Sequence, residues 1–540
     1  MDVIRKVVVM RLFSYSGFKR MMAVGFVAAF VVCTELPTAT RASTLDKSKT
    51  FKRAQKELRE GDFEQAEIIL RELLAKDSLN NDARLALSFS LLKQRRLQEA
   101  FDHAARVLIA DPASARAHAL LGQAILASGD FKESVEEFRT ALAIDSGEAM
   151  AVAGLAMVDF YENRLAECVK GLRKAVSMDG DEPDYIYSLG QASARFEMFK
   201  EAADSYERFL AIAHRTDADR RERIRGLINF LRYLGRQGQL YVSTGRDSTA
   251  MSFETIDGRP ILRVRINGQR EPLRFVLDTG SGMSVVSEQT AKRLGLQVIS
   301  RGGMARAVGG AGKFEIVYGF LSSLEVGEVR VENVPVYIRR FYDDKVPVDG
   351  YLGLSVITRF FASVDYGDRT FRLVKPRQTD SLDLFQKTEA AAHPEAVEIP
   401  VRTTSSGFLS GEVRLEGIEK PQNFIIDTGA SVSVVSEKLA ELEEMATFKT
   451  PDRLRVFGAA GVTEDVKTMM LPRVMLGSLI REQISAAILD LESINETTGF
   501  TQAGILGSNF LSHFRVSFDF RRGVIRLEPL SKSAKSGVRL

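Results

Sequence analysis

The chain has 540 residues, 45% of them hydrophobic and 27% charged, with 41 Gly, 14 Pro, 2 Cys and no Trp. At roughly 150 residues per domain this allows three or four domains, each large enough to bury a core. Ordinary hydrophobic content and a net charge of +3 exclude bulk disorder, and the composition excludes a disulfide scaffold and a collagen-like chain.

The charge is unevenly placed. Residues 1–42 carry Arg5, Lys6, Arg11, Lys19, Arg20 and Arg41 against Asp2 and Glu35, a local +4, and +3 less +4 leaves −1 for residues 43–540. The excess positive charge therefore belongs to the leader, and the remainder gives no reason to expect nucleic acid. Residues 21–33 (MMAVGFVAAFVVC) form an apolar run too short to span a bilayer, which takes about 20 residues in a helix. A basic stretch, a short apolar run and small residues follow the pattern of a secretory signal, so 1–42 reads as a signal peptide cleaved after Ala42. An uncleaved anchor is the alternative, and the only membrane contact expected. Cys33 as a lipid-bearing residue is disfavoured because Val32 occupies a position that wants a small side chain. After cleavage only Cys168 remains, so no intramolecular disulfide is expected. The reading is an exported bacterial protein, periplasmic or secreted.

Residues 47–235 read as helical. Phe63, Leu97, Phe131, Leu165 and Phe199 recur every 34 residues, each followed three positions later by Ala66, Ala100, Ser134, Cys168 or Ala202. Asp77, Asp111, Asp145 and Asp179 keep the same spacing, as do Leu87, Leu121, Leu155 and Leu189 with a small residue behind each. Small side chains let paired helices approach closely while bulky ones fill the groove between hairpins. This pattern resembles the tetratricopeptide family, in five units starting near 47, 81, 115, 149 and 183, although the bulky aromatic of the first helix is mostly missing. A polar-faced helix at about 218–235 is expected to cap the stack. The resemblance implies a concave face that docks a protein partner, with a plain spacer as the alternative. Cys168 falls at a packed small-residue position and reads as an inert thiol.

From about 251 the pattern changes to short alternating apolar runs split by glycine turns, as in Ile261–Ile266 before Asn267-Gly268. This half is duplicated. The segment 275–288 (FVLDTGSGMSVVSE) matches 424–437 (FIIDTGASVSVVSE) at nine of fourteen positions, which sets Asp278 against Asp427. Gly309-Gly310-Ala311-Gly312 and Gly458-Ala459-Ala460-Gly461 follow their aspartates at the same distance. Tyr351-Leu352-Gly353 and Ile505-Leu506-Gly507 come next, and each copy closes on an Asp-aromatic strand running to Arg-Leu.

These landmarks, in order and twice over, resemble the retropepsin-like aspartyl proteases. The resemblance implies two mainly β lobes, residues 251–375 and 397–530, joined by a linker at 376–396 and paired within one chain as a pseudo-dimer. It implies catalysis by Asp278 and Asp427, with the active-site loops supported by Thr279, Gly280 and Ser281 in one lobe and Thr428, Gly429 and Ala430 in the other. Thr279 and Thr428 would interlock, and the glycine-rich tips would be flaps over an extended peptide: Val308, Gly309, Gly310 and Gly312 in lobe 1, Phe457, Gly458, Ala459 and Gly461 in lobe 2.

Peptide hydrolysis needs a water deprotonated on one side while the carbonyl is protonated on the other. Two carboxyls about 3 Å apart cannot both ionise readily, so they share a proton and titrate together. Ser281 is placed to donate to Asp278, whereas Ala430 has no hydroxyl to offer Asp427, so the pair is expected to lean towards Asp278 ionised. His103, His118, His214, His393 and His513 show no ligand spacing; no metal and no cofactor are expected. The expected function is a monomeric aspartic endopeptidase acting on peptide or protein substrates. The rival is an exported adaptor that binds peptides without cutting them. Residues 236–255 are a candidate site of autoprocessing.

Overall fold

A computed structural model describes residues 38–213, 218–307, 313–343, 347–376 and 395–530. The leader apart from residues 38–42, the flap-tip residues Val308, Gly309, Gly310 and Gly312, and nearly all of the 376–396 linker lie outside these. Ten helices precede the first break after residue 213: α1 (Thr38–Glu60), α2 (Phe63–Lys76), α3 (Asn81–Lys93), α4 (Leu97–Ala110), α5 (Ala115–Ser128), α6 (Phe131–Ile144), α7 (Ala149–Tyr161), α8 (Leu165–Met178), α9 (Pro183–Arg195) and α10 (Phe199–Ile212). Helix α11 (Ala218–Leu234) follows. Their starts are written in the sequence. Asp62, Asn80, Ser114 and Asp130 each accept the backbone N–H three residues on, which satisfies a donor that the first helical turn leaves free.

The chain divides into two compact units. One contains α1 to α6 with residues 149–158 and 170–185; the other contains 159–169, 186–211 and everything from Ala218. In the first, Ala66, Ala100 and Ser134 are fully buried, and the ring of Phe138 fills the space that small residues leave. A Cβ at Gly122 or Gly154 would lie 2.7 or 2.2 Å from that ring. Lys93 reaches Glu182 at 2.8 Å and Asp184 at 2.7 Å; burial opposes its charge, yet the two carboxylates hold it above the ordinary lysine range. In the second unit Cys168 and Ala202 occupy the equivalent buried positions, and burial pushes the Cys168 thiol up to about 12.

The β half is built twice. Lobe 1 contributes β1 (Val242–Gly245), β2 (Ser248–Ser252), β3 (Glu254–Ile256), β4 (Arg259–Ile266), β5 (Leu273–Leu277) and β6 (Val285–Ser287). It continues with β7 (Val298–Arg306), β8 (Lys313–Val326), β9 (Val329–Arg339), β10 (Gly350–Leu352), β11 (Phe361–Asp365) and β12 (Thr370–Val374). Lobe 2 supplies β13 (Val397–Thr403), β14 (Leu409–Leu415), β15 (Gln422–Ile426), β16 (Ser433–Ser436) and β17 (Lys449–Gly458). It ends with β18 (Gly461–Leu476), β19 (Leu479–Leu489), β20 (Gly504–Leu506), β21 (Phe514–Asp519) and β22 (Val524–Pro529).

In lobe 1, β10 lies between β5, which it pairs in parallel, and β6, which it pairs antiparallel, and β6 runs parallel to β9. Lobe 2 repeats this with β20 between β15 and β16, and β16 parallel to β19. The lobes are continuous through β11 and β21, which pair antiparallel from Ala362↔Phe518 to Asp365↔Arg515, with Arg515 and Asp365 ion-paired at 2.7 Å. One apolar core runs through both, from Phe275 and Phe371 to Phe424 and Phe518.

Two boundaries differ from the sequence reading. Strands begin at Val242 rather than near 251, because β1 pairs with β9 and β2 with β12, and most of the proposed processing segment 236–255, from Val242 on, thereby lies in or between paired strands. Helix α11 is more than a polar cap: Ile224, Ile228, Leu231 and Leu234 form a buried stripe between its arginines. Phe230 stacks on Tyr318 of β8 at 4.3 Å, and Ser300 of β7 donates to the Gly226 carbonyl at 2.8 Å.

Candidate active site

Each Asp-Thr-Gly turn sits between two strands that a third strand clamps. Asp278 N–H donates to Leu352 O at 3.0 Å, and Asp427 N–H to Leu506 O at 3.0 Å, so β10 and β20 fix where each turn begins. The next residues brace the turns from behind. Leu354 N–H donates to Ser281 O (2.8 Å) and Ser508 N–H to Ala430 O (2.7 Å). Gly353 and Gly507 N–H reach the hydroxyls of Ser284 and Ser433. The second Ser of each repeated segment is thus a loop support that the sequence reading did not single out; its recurrence in both copies was the available signal.

The two turns meet. Thr279 N–H donates to Thr428 Oγ1 (3.2 Å) and Thr428 N–H to Thr279 Oγ1 (3.0 Å). Each hydroxyl then donates across the lobe boundary at 2.7 Å, Thr279 to Ile426 O and Thr428 to Leu277 O. Both threonines are fully buried, so these bonds are shielded from competing water. The grip sets the Asp278 and Asp427 carboxyls close enough that each acts on the other's protonation. Gly280 and Gly429 each face the other lobe's carboxylate.

The two carboxyls are not equivalent. Burial and the neighbouring Asp427 carboxyl raise Asp278 well above the carboxylate range, against the opposing pull of Arg339 and the Gly280 N–H. Burial raises Asp427 too, but the Gly429 N–H (2.7 Å), the Asp278 carboxyl and the Ala430 N–H (3.1 Å) favour its ionised form. Two backbone N–H groups of its own turn reach Asp427 and one reaches Asp278, which favours the ionised form at Asp427, whereas the expectation drawn from Ser281 favoured it at Asp278. The reason is local: Ser281 Oγ donates to Met283 O at 2.8 Å, and its N–H points to the Asp278 carbonyl, so neither reaches the carboxylate. Asp278 keeps only the Gly280 N–H at 2.9 Å from its own turn.

Of the flap residues, those of lobe 2 are described. Phe457 and Gly458 end β17, Ala459 and Ala460 form the turn, and Gly461 opens β18 with Gly458↔Gly461 as the last pair. Arg455 lies over the Phe457 ring at 5.1 Å.

Two further residues enter that the sequence did not mark. Arg339, the last residue of β9, lies near Asp278. Arg195, the last residue of α9, stacks over Phe160 at 3.9 Å and donates to Thr404 O (2.6 Å) and Ser405 O (3.2 Å). The adjoining Ser406 carbonyl packs on Gly282 of the lobe 1 turn, where a Cβ would lie 2.4 Å from it. Among the described residues no group of three or more His, Cys, Asp or Glu is placed to hold a metal, and no helix is long and apolar enough to cross a membrane.

Comparison with known proteins matches these parts separately. Residues 262–356 match the family profile described as "Aspartyl protease" and residues 412–513 that of "gag-polyprotein putative aspartyl protease". Residues 51–115 and 90–149 match the tetratricopeptide repeat family. The fold is therefore a tetratricopeptide helical region followed by two β-rich lobes of the retropepsin-like aspartyl protease type. Among solved structures, a thermophilic TPR protein from Thermus thermophilus is 15% identical, covering 35% of this chain and 99% of that one at a TM-score of 0.30. The aspartic proteinase from Irpex lacteus is 13% identical, covering 54% of this chain and 100% of that one at a TM-score of 0.36. The search of curated proteins returns no match.

Proposed function

We propose that the protein is an aspartic endopeptidase whose dyad is formed within one chain by Asp278 and Asp427. The observation that carries this is the reciprocal threonine hydrogen bonding across the lobes, which sets Gly280 against the Asp427 carboxylate and Gly429 against that of Asp278. Asp427, ionised, takes a proton from water as its oxygen attacks the scissile carbonyl carbon, while Asp278 gives its proton to the carbonyl oxygen. The resulting gem-diol collapses as the C–N bond breaks, one hydroxyl returning its proton to Asp278 while the leaving amine takes the proton held on Asp427. Thr279, Gly280, Thr428, Gly429 and Ala430 hold the loops; Ser281 shapes its own turn. Phe457, Gly458, Ala459 and Gly461 form the tip of one flap over the substrate.

The repeats recruit a substrate or partner protein, and the basic and apolar leader directs export. The assay is cleavage of casein or a peptide library by the exported chain beside Asp278→Asn and Asp427→Asn. Both substitutions are expected to lower the rate by about 10³-fold or more. Activity surviving either one removes the dyad mechanism. A folded chain inactive from pH 3 to 8 points instead to a peptide-binding adaptor.

A further inference from the structure

Arg339 interacts electrostatically with Asp278 and forms no ion pair among the described residues. Its guanidinium lies 5.6 Å from the ring centre of Phe314 on β8, 5.8 Å from Phe341 and 5.9 Å from Tyr351 on β10. Nε is enclosed by protein and finds no acceptor, and the side chain makes no hydrogen bond or ion pair among the described residues. Aromatic faces offset part of the cost of taking a cation out of water, but leave its fork of donors unused. Burial accordingly pulls Arg339 below the ordinary arginine value, and the ionisable groups that oppose this are Tyr351, Asp278 and Tyr342.

The fold does not require an arginine here. Ser287 of β6 is paired with Arg339 of β9, and its counterpart in lobe 2, Ser436 of β16, is paired with Leu489 of β19. By the same register Tyr351 corresponds to Ile505. One lobe fills these two positions with aliphatic side chains and the other with a cation and a phenol. Arg339 is half-buried with its Nε enclosed; an enclosed donor without a partner calls for an explanation, and a cation coupled to the carboxyl pair finds its partner most directly in the substrate.

We propose that Arg339 is the counter-ion for a carboxylate on the peptide substrate, so that the Asp278–Asp427 pair cuts next to an acidic group. The inference rests on the endopeptidase reading. An Asp or Glu side chain and a free chain terminus offer the same carboxylate, and the planar guanidinium can grip either through two parallel hydrogen bonds.

The test uses the full chain and peptide pairs differing only as Glu or Gln at each position flanking the cleavage point, each with a free or an amidated C-terminus. The wild type is expected to favour Glu at one position by about tenfold or more in kcat/KM, largely through KM. A preference for the free terminus in place of that for Glu assigns the carboxylate to the chain end. Within each variant the readout is the Glu-to-Gln ratio: Arg339→Gln brings it to about one, Arg339→Lys keeps part of it, and Arg339→Glu turns the preference towards Lys at the same position. A wild type indifferent to Glu, Gln and terminus overturns the proposal, as does a preference that persists in Arg339→Gln. Calorimetric binding of the same pairs with a reduced scissile bond separates the two readings. Glu-selective binding without cleavage of any peptide sinks the endopeptidase alone, and cleavage without selectivity sinks the role of Arg339 alone.

Discussion

Gly280 faces Asp427 so closely that a Cβ on the glycine would lie 2.2 Å from Oδ2, and Gly429 faces Asp278 with a corresponding distance of 2.6 Å. Neither approach leaves room for a methyl group, and the atoms in the way belong to the other lobe's carboxylate. Gly280→Ala is therefore expected to part the two carboxyls and lower kcat/KM by about 10²-fold or more. Circular dichroism should stay at the wild-type signal. A Gly280→Ala chain cutting peptide at the wild-type rate would falsify the placement.

The threonine grip should show in stability as well as rate. Thr279→Ala removes a hydroxyl that donates to Ile426 O and accepts from Thr428 N–H, both within the buried lobe boundary. Leaving such groups unpaired costs about 1–3 kcal/mol each, and Thr428→Ala should match it. Thr279→Ser, which keeps the hydroxyl, should recover most of the loss. Thermal melts of the three variants decide; equal midpoints for Ala and Ser at position 279 would contradict the grip.

The raised value of Asp278 has a definite sign for stability. Folded Asp278 holds its proton more tightly than the unfolded chain does, so its contribution is fully present below the ordinary carboxylate value of 3.8 and is lost as pH rises through the folded value. Asp278→Asn, which can still donate to Asp427, removes that pH dependence. It should melt a few degrees above wild type near neutral pH, with the gap closing towards pH 3. Ser281→Ala should leave the acidic limb of the pH–rate profile where it is, because the Ser281 hydroxyl serves Met283 O. A gap that widens on acidification would reverse the assignment of the proton.

Arg195 links a helical hairpin to the Asp278 turn through the segment Thr404–Gly407. Burial lowers this arginine to about 10, so it stays charged at neutral pH while it binds two carbonyls. Arg195→Met leaves those carbonyls without their charged donor, at a cost of about 1.5–3 kcal/mol for each such bond. The expected result is a lower melting midpoint together with a severalfold fall in kcat/KM, partly restored in Arg195→Lys. Unchanged kinetics in a destabilised Arg195→Met chain would limit this residue to a structural role.

The fold classes were legible because both signals are periodic. The 34-residue recurrence of Phe63, Leu97 and Phe131 and the repeated Asp-Thr-Gly segments need no knowledge of long-range pairing. What stayed hidden depends on register. Arg339 ends a strand whose alternation makes it look solvent-facing. Lobe 2 offers no simple alignment either, since 489 − 339 is 150 where the aspartates differ by 149. The apolar stripe of α11 is masked by Arg220, Arg221, Arg223, Arg225 and Arg232, so a buried helix reads as a polar cap. Ser281 misled for another reason: a hydroxyl next to a carboxylate in sequence was free to rotate towards a nearer carbonyl.

The pairing of β11 with β21 joins the halves in one sheet. In an enzyme assembled from two identical chains, each active site draws one aspartate from each copy, so a defective gene product poisons the sound subunits it captures. Here Asp278 already has its partner on the same polypeptide. On the proposed single-chain dyad, a chain carrying Asp278→Asn leaves the site of a wild-type chain complete, and inactive alleles of this gene should behave as recessive.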